Sequence, residues 1–146
     1  MSRFRLETAL RVRERLEKLY QKALAEQLQV EQQYRGRKQL MQDSLDSHNN
    51  ELDTAKADGV TINQLLMGSQ FQQRIEQQLK VTQEQLNEQL EVVALKRHEL
   101  TQATQKKRVL EILKEKELKK HKDETERLER LEADEIAQNS RLKSIN

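Results

Sequence analysis

Lys56-Ala57-Asp58-Gly59-Val60-Thr61 interrupts a chain that otherwise repeats one pattern from end to end. Asp58-Gly59 is a turn dipeptide, because glycine reaches the backbone conformations that close a turn. Thr61 is placed to cap a short helical turn through Ile62, Leu65 and Leu66. Gly68-Ser69 reads as a second break, and Ser69 with Gln72 has the spacing of a capping box. The connector is therefore expected over 58–69.

Upstream of it, one apolar row runs Leu6, Leu10, Tyr20, Leu24, Tyr34, Met41, Leu45, Leu52, Ala55. These steps are sums of three and four residues, the spacing of a helix stripe. Ala9, Val12, Leu16, Leu19 and Ala23 fill the neighbouring face, while Arg13 and Glu31 interrupt the row, so a narrow seam is implied. Downstream, Phe71, Ile75, Leu79, Thr82, Leu86, Leu90, Val93, Arg97, Leu100 and Ala103 continue through Leu110, Leu113 and Leu118. No strand-like alternation appears.

The composition agrees. Charged residues make up 36% of the 146, hydrophobic residues 34% and aromatics 3%, with no proline and three glycines. Too few large side chains are present for a thick core, and Leu, Glu, Gln, Lys and Arg all favour helix. The expected fold is all-α: a long antiparallel two-helix coiled coil, a helical hairpin with a C-terminal helical overhang. It forms one domain over 1–146, with the first helix over 4–57, the second over 70–138 and a frayed tail over 139–146.

At roughly 1.5 Å per residue the helices would be about 80 Å and about 100 Å long. Setting Phe71 opposite Ala57 brings Leu86 to Met41 and Leu45, Val93 to Tyr34, Leu100 to Leu28 and Leu118 to Leu10. It also brings Leu110 and Leu113 to Tyr20, Leu19 and Leu16. The first helix then runs out near residue 125 of the second. Leu128, Leu131, Ile136, Leu142 and Ile145 are left on a helix with no intramolecular partner, which reads either as a partner surface or as a frayed C-terminal end.

Chemistry is hard to place on this chain. There is no cysteine, so disulfides and thiolate metal sites are excluded. His48, His98 and His121 lie far apart, and His98-Glu99 lacks the second histidine of a zinc-protease motif because Gln102 stands there. Asp134-Glu135 has no phosphate loop to accompany it. A two-helix seam offers no buried site to raise a carboxylate pKa for acid catalysis. The expectation is no enzyme, no metal and no cofactor. No signal-peptide core follows the basic Met1–Leu6, and no apolar run approaches the roughly 20 residues of a membrane span.

The net charge is only +2, but Lys106–Lys122 is strongly basic and Asp123–Glu135 acidic. The basic stretch has no aromatic residue for base stacking, and glutamates at helix-pair spacing interrupt it, Glu111 with Lys114 and Glu115 with Lys119. A solvated face or a patch for an acidic protein is expected rather than nucleic acid.

Three stretches resemble the FliJ family of flagellar export proteins. Phe4-Arg5-Leu6-Glu7-Thr8-Ala9-Leu10-Arg11-Val12-Arg13-Glu14 looks like that family's opening. Lys106-Lys107-Arg108-Val109-Leu110-Glu111-Ile112-Leu113-Lys114-Glu115-Lys116 looks like its basic motif in the second helix. Glu129 with Asp134-Glu135-Ile136-Ala137 resembles its C-terminal signature, although Leu131 stands where the family typically has lysine.

The resemblance implies a non-enzymatic, stalk-like part of the flagellar type III export machine. Its implied partners are the export ATPase hexamer, the cytoplasmic domain of the membrane export gate and, in some members, export chaperones. The implied location is cytoplasmic, at the flagellar base, touching the inner membrane only through partners, and the implied state is a monomer. The residues that would dock the ATPase are Arg3, Arg5, Leu6, Leu128, Leu131, Glu135 and Ile136. Those matching the gate contact are Met41, Phe71 and Ile75. The alternatives are the stalk protein of a virulence type III secretion system and a generic coiled-coil scaffold forming a parallel homodimer.

Overall fold

The computed structural model describes residues 2–145, with side chains from Leu6 onward. Two helices account for nearly all of it: α1, Ser2–Asp58, of 57 residues, and α2, Ile62–Ile145, of 84 residues. Only residues 59–61 lie outside a helix among those described.

The turn is closed by three local devices. Gly59 takes φ +92° immediately after the last residue of α1, the left-handed conformation that ends a helix at little steric cost to glycine. Thr61 then opens α2 with a reciprocal cap: the Gln64 amide N–H donates to Thr61 Oγ1 (3.2 Å) and the Thr61 N–H donates to Gln64 Oε1 (3.1 Å). Both of these first-turn donors are thereby satisfied. The Leu65 N–H donates to the Thr61 carbonyl, so the helix is already under way.

This corrects the expected connector of 58–69. Gly68 and Ser69 are interior residues of α2, so Ser69 caps nothing. A glycine in a helix costs only about 1 kcal/mol, which does not end a helix whose start is capped at Thr61.

The structure divides into two compact units, Met1–Lys18 with Gln102–Asn146, and Leu19–Thr101. Each contains a segment of both helices, and in each the segments run antiparallel. In the 19–101 unit, Gln89 Nε2 donates to the Gln27 carbonyl and to Gln27 Oε1, both at 2.9 Å. Thr82 Oγ1 donates to Met41 Sδ (3.6 Å), and His48 Nε2 donates to the Gly68 carbonyl (3.1 Å). Numbers rise on α1 as they fall on α2. In the other unit, Lys107 Nζ meets Glu17 Oε1 at 2.9 Å and Lys114 Nζ meets Glu7 Oε1 at 3.5 Å.

The antiparallel hairpin is as expected, but its register is not. Met41 meets Thr82 rather than Leu86, and Phe71 stacks on His48 rather than facing Ala57. The shorter turn is the cause: with only three residues spent on it, every level of α1 meets an earlier residue of α2.

The seam is narrow and partly polar. From Leu6 to Ala55 the covered residues of α1 include an unbroken series at alternating steps of four and three, the coiled-coil repeat. Yet the only buried apolar side chains among the described residues are Leu10, Leu86, Val93 and Ala103, joined by the polar Thr82 and Gln89. Two helices can cover only one stripe of each other.

Candidate docking surfaces

On α2 the covered series reads Ala103, Lys107, Leu110, Lys114, Glu117, again in steps of four and three. Two of its members are lysines because carboxylates of α1 receive them. The hydrogen bond from Lys107 is the first cause holding the Glu17 carboxyl below its ordinary range, and Glu17 in turn holds the Lys107 ammonium above its own. The helix-pair contacts differ from those expected: Arg108 bridges Glu111 and Glu115, and Lys107 also reaches Glu111, while Lys114 turns to Glu7. The basic stretch is thus split between a pinned inner face and an exposed outer one bearing Lys116, Lys119 and Lys120.

Beyond Glu117 the cover ends. From Leu118 to Ile145 every residue except Glu126 is exposed, and the backbone remains helical. The open stretch therefore begins about two turns earlier than residue 125. The same alternation of steps carries straight on through His121, Glu124, Leu128, Leu131, Glu135, Gln138, Leu142 and Ile145. Leu128 is 55% exposed and Leu131 53%. Leu128, Leu131 and Glu135 share this stripe. Ile136, also exposed, is one position off it.

Leu6 does not join them. Its neighbour Glu7 meets Lys114, fourteen residues or roughly 21 Å short of Leu128 along the helix. Arg3 and Arg5 lie within α1, but their side chains lie outside the described residues.

In the 19–101 unit, Met41, Phe71 and Ile75 are all half-buried. The Phe71 ring is tilted against His48 with centroids 4.7 Å apart. It borders an open cleft of about 550 Å³ lined also by Leu52, Val60, Met67 and Gly68. A Cβ at Gly68 would lie 3.4 Å from the imidazole, in ordinary van der Waals contact. Met41 lines a separate shallow cleft with Val81 and Thr82.

The opening turns of α2 add an apolar cluster that the sequence reading assigned only to a connector. Ile62, Leu66 and Met67 are 83%, 56% and 70% exposed. Their spacing was visible in the sequence; that they cap the tip without cover was not.

Among the described residues no helix is long and apolar enough to cross a membrane. The family pattern described as the flagellar FliJ protein matches residues 1–144. The chain belongs to the FliJ family. It is therefore a component of flagellar type III protein export, and the family to which it belongs is non-catalytic. No curated protein and no solved structure matches the chain.

Proposed function

We propose that this FliJ-family chain couples the export ATPase hexamer to the cytoplasmic domain of the export gate, using a different unit for each. The observation that carries the reading is the open stripe of α2: Leu128 and Leu131 stand exposed on a helix that continues the coiled-coil repeat. A seam that outlasts its partner helix is an apolar surface awaiting another protein. Leu128, Leu131, Glu135 and Ile136 form the ATPase-docking set, with Arg3, Arg5 and Leu6 on α1 engaging the same ring at a separate level. A single chain in a six-fold ring meets non-equivalent subunits and so biases their states.

Phe71 and Ile75 form the gate-docking set, with Met41 as a flanking contact. The cleft beside Phe71 and the apolar Ile62, Leu66 and Met67 supply adjoining surface. Export chaperones are further partners of the same chain.

Truncating the chain after Lys122 tests the ATPase reading. The remaining hairpin keeps its helicity and loses stimulation of the ATPase; undiminished stimulation defeats the assignment. For the gate, Phe71→Ala with Ile75→Ala weakens capture of the gate domain in a pull-down while circular dichroism stays native. Equal capture by the variant and the unaltered chain removes these residues from the interface.

A further inference from the structure

The open stripe has a pattern that answers itself. Between Leu128 and Ile145 it is apolar at both ends and polar in the middle: Leu128 and Leu131, then Glu135 and Gln138, then Leu142 and Ile145. The last two are 62% and 80% exposed. We propose that residues 128–145 pair antiparallel with the same residues of a second copy of this chain.

In an antiparallel coiled coil the two alternating seam positions face each other across the pair. Setting Leu128 against the partner's Ile145 sets Leu131 against the partner's Leu142 and Glu135 against the partner's Gln138. Two-fold symmetry repeats each layer. Every leucine and isoleucine of the stripe meets an apolar residue, and the central carboxylate meets an amide that donates to it.

The flanks match in the same register. Asp134 and Arg141 each stand immediately before a seam residue, and such positions oppose each other in an antiparallel pair. Asp134 therefore faces the partner's Arg141, twice over. Among the described residues neither side chain has an ion-pair partner.

Other registers fail on named residues. One heptad toward α1, Leu131 falls on the partner's Glu135 and Leu142 on the partner's Glu124 inside the seam, while Asp134 faces the partner's Asp134 and Arg127 the partner's Arg141. One heptad outward, Leu142 falls on the partner's Gln138, Ile145 on the partner's Glu135, and Arg141 faces the partner's Arg141. A parallel pair stacks Glu135 on Glu135. Like charges at such positions are how coiled coils reject a register. The zipper is short, so the dimer is weak and forms as concentration rises.

Pairing covers Leu128 and Leu131, so it competes with ATPase docking. That consequence, unlike the pairing, rests on the ATPase reading.

Sedimentation velocity of the full chain over a rising concentration series tests the proposal. The expected result is passage from monomer to dimer, weakened roughly tenfold by Arg141→Asp, which replaces two attractive contacts with two repulsive ones. Combining Arg141→Asp with Asp134→Arg restores the dimer. Oxidising a mixture of Leu131→Cys chains and Leu142→Cys chains gives the mixed disulfide. A monomer at every concentration, failure of the charge swap to restore, or dominant cross-linking of Leu131→Cys with itself overturns it. None of these results alters ATPase stimulation by the unmodified chain, so the two readings fail separately.

Discussion

The two units close their seams by different chemistry. The 19–101 unit has Leu86 and Val93 with 2% and 4% exposure and seats Thr82 and Gln89 alternately with them, both neutral and both hydrogen-bonded across the seam. The unit of Met1–Lys18 and Gln102–Asn146 uses charge at the equivalent levels, Lys107 with Glu17 and Lys114 with Glu7, around Leu10 and Ala103. Neutral hydrogen bonds and apolar contacts ignore ionic strength, whereas half-exposed ion pairs are screened by it. One unit is therefore held by contacts that salt does not screen. The other, which also carries the open stripe, is held by contacts that solvent can weaken.

The largest effect that would break this contrast is Leu86→Ala. It removes most of a nearly fully buried side chain and should cost about 2–3 kcal/mol, read as a lowered midpoint in thermal unfolding. An exposed control, Leu131→Ala, should change stability by less than about 0.5 kcal/mol. Equal effects would mean that the seam does not run through Leu86.

Next in size is Gln89. Gln89→Ala leaves the Gln27 carbonyl and side-chain oxygen without their donor and should cost about 1–2 kcal/mol, measurable in urea unfolding. Charge plays no part in this contact, so the loss should be the same in low and high salt. A salt-dependent loss would erase the distinction between the units.

The smallest expected effect is the response of the charged unit to pH and salt. Glu17 is held below its ordinary range, so its contribution is complete above the unfolded carboxylate value near ~4.3 and is lost as pH falls through the folded value. Lys107 is held above its range, so its contribution is complete below ~10.4 and is lost as pH rises through the folded value. Amide exchange around Glu17 and Lys107 should quicken at both extremes and in high salt, while that around Val93 does not. Glu17→Gln should flatten the acid limb. An unchanged profile would remove the pair from the account.

Much of the fold was legible. Every member of the row from Leu6 to Ala55 is covered, because that row is apolar enough for its spacing to show. On α2 the apolar row drifted off the seam: Leu90, Leu113 and Leu118 were counted as seam residues but are 36%, 45% and 38% exposed. The covered positions beside them are Gln89, Lys114 and Glu117. Long polar side chains bury their stems while their tips find partners, and hydropathy alone cannot see this. Gly68-Ser69 misled for a related reason: local breaking signals yielded to a well-capped start at Thr61.

The open stripe was legible as leftover leucines, but its extent and its continuity with the seam depended on the register, which only the three-residue turn fixes.

The central claim is that the seam of α2 outlasts its partner helix and that the remainder is where the ATPase engages. Amide hydrogen exchange along α2, with the chain dilute and alone and then with the ATPase hexamer, tests it most directly. Residues 118–145 should exchange fast alone, slower from Glu117 backward, and gain protection when the hexamer is present. Protection of that stretch in the dilute chain alone, or none gained with the hexamer, would contradict the account.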